Sequence, residues 1–192
     1  MKQTQTLKDF TQQIIHYLGS GYTYAKVVKI PPKKRHRSYY ITKKVSEYYG
    51  TNISRGRRQQ RRRKGLVNYA AVAFQDRLFV LLRTNGEHNN KPNEFIKVSR
   101  LKVELSKWIA LIFFRNEEKR WTCRLAKETY RRFKEDFHLA IKNGNGYRYN
   151  QLCAMWKNLP HWRGIGRQTS ELHKYIKEQK RLYSREWSCI VG

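Results

Sequence analysis

Residues 66–74 (LVNYAAVAF) and 78–84 (LFVLLRT) are two apolar segments separated only by Gln75-Asp76-Arg77. Two such runs joined by a short polar turn are typical of a β-hairpin. Residues 79–82 are apolar without alternation, which indicates a strand covered on both faces. We therefore predict that this hairpin lies at the centre of a sheet.

Further strands are predicted on both sides of the hairpin. Residues 22–30 form one strand, which ends at Pro31-Pro32 because proline cannot continue a ladder of hydrogen bonds. Two short strands are expected at residues 95–98 and 102–105, and a second hairpin at residues 108–115 and 120–125. The short connections favour antiparallel neighbours in a sheet of about five or six strands.

Helices are predicted before and within this sheet region. Residues 7–18 carry apolar side chains at helical spacing, with Thr6 and Asp9 as a capping box and Gly19 at the C-terminal end. Residues 40–49 indicate a second helix, closed by Gly50.

After residue 125 the apolar periodicity is helical to the end of the chain. Three helices are predicted there, at residues 127–143, 150–159 and 169–183. We therefore expect an α+β fold: a largely antiparallel sheet with N-terminal helices and a C-terminal three-helix region. A basic sheet domain would cover residues 1–125, and a helical region packed on it would cover residues 126–192.

Residues 55–64 (RGRRQQRRRK) form an arginine-rich run directly before the central hairpin. Seven of these ten residues are basic, and none is acidic or apolar. We predict a loop that is disordered alone and binds a polyanion, since guanidinium groups clamp phosphates and stack on bases. A targeting tag or a solvated loop is the alternative interpretation of such a run.

The composition points to an anionic partner. Among 192 residues, 42 are Lys or Arg and 14 are Asp or Glu, which gives a formal net charge of +28. Such an excess repels itself in a folded protein, and proteins that tolerate it usually bind a polyanion. No lipid-anchor motif or basic amphipathic helix with a free apolar face favours a membrane as that polyanion.

The spacing of the cysteines and the lengths of the apolar runs indicate the cellular compartment. Cys123, Cys153 and Cys189 are widely spaced and show no metal-binding pattern, so we expect free thiols. No run approaches the ~20 apolar residues that a membrane-spanning helix needs. We expect an intracellular protein, cytoplasmic or nucleoid-associated.

Basic residues alternate with aromatic ones at residues 35–40, 119–121, 147–149 and 161–163. Aromatic rings can stack on unpaired bases while guanidiniums hold phosphates, although such rings can equally close a core. The nucleic-acid contacts that we predict are Arg35, Arg37, Arg55, Arg57, Arg58, Arg61, Arg62, Arg63, Lys64, Arg120, Trp121, Arg148, Tyr149, Trp162, Arg163 and Arg167.

The sequence offers little for catalysis. The six histidines form no metal-binding pattern, so neither a metal nor a cofactor is expected. A metal-independent endoribonuclease is the remaining enzymatic alternative, with His88 and His36 as the candidate acid and base. A second alternative is a duplex-DNA-binding accessory factor of a mobile element, although residues 160–168 are long for the turn of a helix-turn-helix.

These features favour non-catalytic binding of nucleic acid. We expect structured RNA to be preferred over DNA, because folded RNA combines dense phosphates with unstacked bases. The chain would be a subunit of a ribonucleoprotein complex and could contact other protein subunits there.

Overall fold

The structure, a computed structural model, describes residues 2–87 and 94–183. The α-helices are α1 (Leu7–Gly19), α2 (Ser38–Tyr49), α3 (Arg55–Arg63), α4 (Lys127–Lys142), α5 (Gly146–Lys157) and α6 (Arg163–Leu182). The strands are β1 (Lys2–Thr4), β2 (Tyr22–Lys29), β3 (Tyr69–Phe74), β4 (Leu78–Thr84), β5 (Ile96–Lys97), β6 (Lys102–Glu104), β7 (Ala110–Arg115) and β8 (Trp121–Leu125). Short 3₁₀ helices occupy Pro32–Arg37 and Val98–Arg100.

The predicted central hairpin is confirmed. Strands β3 and β4 pair antiparallel, with Val72 opposite Val80. The sheet has the order β1-β3-β4-β2-β5, so β4 is its middle strand. The first five side chains of β4, from Leu78 to Leu82, are all buried, as expected for a strand covered on both faces.

The α+β class and the mainly antiparallel pairing are confirmed, but the strands divide between two sheets. Strands β6, β7 and β8 form a separate three-stranded sheet. Strand β5 pairs with β2 over only two residues before the 3₁₀ helix Val98–Arg100 turns the chain away. Val98 and Leu101 are almost fully buried at this turn, so it is fixed by the core.

Two hydrophobic clusters cover the two faces of the five-stranded sheet. On one face, Ile41, Val45 and Tyr49 of α2 pack against Tyr69 and its neighbours. On the other face, α1, the three-stranded sheet and the C-terminal helices share one continuous cluster. The predicted boundary between residues 125 and 126 coincides with the step from β8 to α4, and this second cluster spans it.

Several helix ends differ from the prediction. Gly19 lies inside α1, and Gly21 takes the left-handed conformation after it, with φ of 87°. Helix α5 begins earlier than predicted because the Asn145 side chain accepts a hydrogen bond from the backbone N–H of Arg148. Helix α6 begins at Arg163, so its connection to α5 is shorter than the sequence indicated.

The cysteine prediction holds for the described residues. Cys123 and Cys153 are free thiols, and Cys189 lies outside the described residues. Burial raises the pKa of the Cys123 thiol to about 12. This thiol is therefore protonated at neutral pH and serves as part of the core.

The arginine-rich run, predicted as a disordered loop, is instead helix α3. The Ser54 side chain caps it by accepting a hydrogen bond from the backbone N–H of Arg57 at 3.3 Å. Arginine and glutamine have high helix propensity, so the run needs no apolar stripe to be compatible with a helix. The repulsion among its charges must be offset by contacts outside the helix.

Guanidinium groups supply those contacts by donating to main-chain carbonyl oxygens. These hydrogen bonds run from Arg58 to Thr51 (2.8 Å), from Arg61 to Val67 (2.9 and 3.2 Å) and from Arg62 to Ser20 (2.7 Å). In addition, the side-chain amide of Asn68 donates to the carbonyl of Arg58, at 3.0 Å. Helix α3 is thus fixed to the loop before it, to the entry of β3 and to the end of α1.

Gly164 sets the approach of α6 to the three-stranded sheet. A Cβ atom there would lie 2.4 Å from the carbonyl oxygen of Cys123, whereas a Cβ atom on Gly166 would meet nothing within 4 Å. We expect Gly164→Ala to lower the free energy of unfolding by about 1–3 kcal/mol, because α6 must move off β8. Gly166→Ala should raise it by about 0.4–1 kcal/mol. Urea denaturation of both variants measures this, and equal effects would contradict the close packing.

The anchoring of α3 can be tested with two arginines of the same helix. Arg61→Gln should lower the free energy of unfolding by about 1–3 kcal/mol, because the carbonyl of the buried residue Val67 loses a charged donor. Arg57→Gln should change it by less than about 0.5 kcal/mol, since Arg57 contacts no other described residue through its side chain. Denaturant titrations compare the two, and similar values would show that the Arg61 bonds do not hold the helix.

Candidate nucleic-acid interface

Basic residues are concentrated in one part of the sequence. Between Asp9 and Asp76 the only acidic residue is Glu47, against fifteen Lys and Arg residues. Thirteen of these fifteen lie in residues 33–64, which form the 3₁₀ helix Pro32–Arg37, α2 and α3. We call the exposed Lys, Arg and Tyr side chains of residues 33–64 the basic surface.

The topology of the sheet determines how far the basic surface extends across the protein. Strands β2 and β3 both run antiparallel to β4, so they point in the same direction. The 3₁₀ helix Pro32–Arg37 follows the end of β2, and α3 precedes the start of β3, so the two lie at opposite ends of the sheet. Helix α2 runs between them over one sheet face and is about 18 Å long.

The first part of the basic surface is the cluster at residues 33–37. It was predicted as a loop and is the 3₁₀ helix Pro32–Arg37, started by Pro32 at its first position. Its five residues from Lys33 to Arg37 are all exposed. The predicted contacts Arg35 and Arg37 are therefore open to solvent.

The outer face of α2 is the second part. Tyr39 is 75% exposed and Tyr40 is 55% exposed, whereas the inner residues of the helix pack on the sheet. Lys43 and Lys44 are exposed beside them. The Lys44 ammonium lies 4.7 Å from the centre of the Tyr40 ring, and the hydrogen bond that it donates to the Tyr40 oxygen raises the pKa of Lys44. This face thus presents aromatic rings next to fixed positive charges.

Helix α3 is the third part, and its basic residues divide into two groups. Arg58, Arg61 and Arg62 bond to main-chain carbonyls. The remaining basic residues are exposed, and their side chains form no hydrogen bond, ion pair or ring contact with another described residue: Arg55, Arg57, Arg63 and Lys64. Of the described residues, none of the Lys and Arg side chains between 33 and 64 forms an ion pair with a carboxylate, whereas Lys26, Lys29, Arg148 and Arg167 are among those elsewhere in the chain that do.

The predicted contacts in the C-terminal half have carboxylate partners. Arg167 forms two bonds with Glu117, at 3.0 and 3.1 Å, and holds the pKa of that carboxyl below its ordinary value. Arg163 pairs with Glu118 and lowers its pKa in the same way. The other two pairs are Arg120 with Glu118, at 3.7 Å, and Arg148 with Asp136, at 3.0 Å. Each of these four arginines thus has a carboxylate partner within the chain, with Glu118 shared by Arg120 and Arg163.

The aromatic residues predicted as contacts take part in packing. The Trp162 indole donates a hydrogen bond to the Thr11 hydroxyl at 2.8 Å, which joins α6 to α1. The Tyr149 ring lies 5.6 Å from the ring of Phe137. Trp121 is half-buried on β8 against the main hydrophobic cluster. None of the three presents a ring face as open as those of Tyr39 and Tyr40.

The structure brings no catalytic set together around His36, the one candidate histidine within the described residues. His36 is exposed and has no side-chain partner among the described residues, and His88 lies outside them. Across residues 2–87 and 94–183, no three His, Cys, Asp or Glu side chains are grouped to hold a metal ion. Within the same ranges, no helix has the length and apolar character required to cross a bilayer.

On α2, sequence reasoning did not name five residues of the basic surface as contacts: Tyr39, Tyr40, Lys43, Lys44 and Tyr48. A signal for them was present, because Ile41, Val45 and Tyr49 repeat at a spacing of four and mark the inner face of the helix. Most residues between these positions are exposed, with buried Ser46 as the exception. The pairing of Arg163 with Glu118 and of Arg167 with Glu117 had no such signal, because the partners lie more than forty positions apart.

Comparison with known proteins gives no further lead. No protein-family model, curated protein or solved structure matches this chain. The function is therefore inferred from the geometry and the charge of the basic surface.

Proposed function

We propose that this chain binds nucleic acid through the basic surface, without catalysing a reaction, and that it prefers structured RNA over DNA. The observation that carries the proposal is the combination in residues 33–64 of exposed tyrosine rings with Lys and Arg side chains that have no carboxylate partner among the described residues. The chain would act as a subunit of an intracellular ribonucleoprotein complex.

The unpaired charges account for the affinity. Each Lys or Arg that neutralises a phosphate releases a condensed counterion, which is favourable at low salt. The same charges repel each other in the free protein, and a bound polyanion relieves that repulsion. Association with RNA would therefore also stabilise the fold, as any ligand does that binds only the native state.

The tyrosines account for the preference for RNA. Base stacking on an aromatic ring is worth about 1–3 kcal/mol per base, and it requires bases that are not already stacked in a duplex. Loops and bulges of folded RNA supply such bases next to a dense run of phosphates. The outer face of α2 places Tyr39 and Tyr40 beside Lys43 and Lys44, which fits this combination.

The electrostatic part of the proposal is tested with a triple variant, Arg57→Gln, Arg63→Gln and Lys64→Gln. These side chains are exposed and hold no part of the fold. The slope of log K against log salt should decrease by about 2–3, because each lost phosphate contact reduces it by about 0.7–0.9. Fluorescence anisotropy of a labelled hairpin RNA at several salt concentrations measures the slope.

A matched control removes three charges of the C-terminal half, with Arg120→Gln, Arg163→Gln and Arg167→Gln. These arginines already face Glu117 and Glu118, so the slope should change by less than about 1. If both triples weaken binding equally, the charge acts only as a general attraction and the basic surface has no special part.

The aromatic part is tested with Tyr39→Ala and Tyr40→Ala together. Loss of stacking should weaken binding to a hairpin RNA with an open loop by about tenfold or more, and binding to a blunt DNA duplex by less than about twofold. Competition titrations with the two nucleic acids give the ratio.

Tyr147→Ala is the control for this aromatic test. Tyr147 is 77% exposed on α5 and lies outside the basic surface, so its removal should leave both affinities unchanged. An equal loss on RNA and DNA in the double variant would contradict the preference for unpaired bases and favour a duplex-DNA-binding protein.

A further inference from the structure

A cleft separates the C-terminal end of α1 from α3, at one edge of the basic surface. Its volume is about 590 Å³, which is large enough for a nucleotide. Arg55, Arg58 and Arg62 line one wall, at spacings of three and four residues that place them on the same side of α3. His16 of α1 and Tyr22 of β2 also line the cleft, and no carboxylate of the described residues does.

Two polar atoms of residues that line this cleft are buried and have no hydrogen bond of normal geometry within the described residues. They are the hydroxyl of Tyr22 and the Nε of Arg58. Tyr22 is 1% exposed, and its ring faces the Arg62 guanidinium at 5.8 Å. A buried polar group without a partner costs free energy, so native structures rarely keep one without a reason. A ligand in the cleft that accepts hydrogen bonds would satisfy both atoms after a small movement of the side chains that bury them.

The charge state of these groups selects an anion as that ligand. Burial raises the pKa of the Tyr22 hydroxyl, and the nearby Arg58 and Arg62 guanidiniums only oppose part of this rise. The hydroxyl is therefore protonated at neutral pH and can donate a hydrogen bond to an acceptor. Arg55 is exposed and keeps its whole guanidinium available. Arg58 and Arg62 each use one nitrogen on a carbonyl, which leaves further N–H donors on both.

We propose that the cleft binds the phosphomonoester at the end of a nucleic-acid strand. This inference rests on the proposed function and adds to it the part of the RNA that is recognised. A terminal phosphate carries about two negative charges at neutral pH and has three free oxygens. A phosphodiester inside a strand carries one charge and has a sugar on both sides, which would keep it away from the buried Tyr22 hydroxyl. Three converging guanidiniums suit the terminal group better.

The test compares three RNA hairpins that have the same sequence and the same single-stranded overhang. One carries a 5′-phosphate, one a 3′-phosphate and one has hydroxyl groups at both ends. At equal salt, the wild-type chain should bind one of the two phosphorylated hairpins about tenfold more tightly than the hydroxyl-ended one. The arm that shows the preference identifies which strand end enters the cleft.

Two variants assign the preference to the cleft. Tyr22→Phe removes only the unsatisfied hydroxyl, so the chain should fold at least as stably as the wild type while the preference falls to about threefold or less. Arg55→Gln, which removes an exposed guanidinium with no part in the fold, should reduce the preference similarly. Arg120→Gln, on the hairpin between β7 and β8, should leave the ratio of the two affinities unchanged.

The outcomes separate this inference from the proposed function. Tight binding of all three hairpins with equal affinity would overturn the strand-end assignment and leave RNA binding intact. Absence of binding to any hairpin would overturn the proposed function. In that case, calorimetry with nucleoside 5′- and 3′-monophosphates tests phosphate binding in the cleft by itself. If neither monophosphate gives a heat of binding, the strand-end assignment is overturned as well. A preference that persists in both cleft variants would also overturn it, because the phosphate would then be bound elsewhere.

Discussion

The burial of strand β4 on both faces is the constraint on which the rest of the structure depends. A strand that is apolar on both sides needs a cover on each side, since exposed apolar area costs about 25 cal/mol per Å². On one side the cover is α1 with the three-stranded sheet and the C-terminal helices. On the other side it is α2, whose single layer leaves its outer face in solvent. The tyrosines and lysines of that outer face are exposed as a direct consequence of this arrangement.

The arginines show how the same residue type is used in two ways. In the C-terminal half, Arg163 and Arg167 meet Glu118 and Glu117, and these pairs join α6 to the tip of the second hairpin. In α3, the arginines that hold the helix use main-chain carbonyls instead of carboxylates. A carbonyl oxygen accepts the hydrogen bond but does not cancel the charge. The helix is therefore fixed in place while its positive field is kept.

The sequence predicted the elements that depend on local pattern. The central hairpin followed from two apolar runs around a polar turn, and the end of α2 followed from Gly50, which has φ of 63°. It did not predict α3 as a helix, because its stability comes from acceptors on Ser20, Thr51 and Val67, which no periodicity of the run reveals. It also merged two sheets into one, since the turn at Val98 depends on burial in the core. The predicted contacts in residues 33–64 have no carboxylate partner among the described residues. The carboxylate partners of the predicted contacts Arg148, Arg163 and Arg167 are visible only in three dimensions.

The acidic residues are distributed so that some basic side chains have partners within the chain and others do not. Where arginine serves the fold of this protein, a carboxylate or a main-chain carbonyl lies next to it. On the basic surface, the side chains of Arg55, Arg57, Arg63 and Lys64 have neither among the described residues. Arginine and lysine are excluded from apolar contacts by their desolvation cost, so such a group needs either water or an external anion. The exposed rings of Tyr39 and Tyr40 on the same surface add an apolar component that water does not satisfy. A partner that is anionic and also offers flat apolar faces meets both requirements, and among polyanions this combination belongs to nucleic acid with unpaired bases.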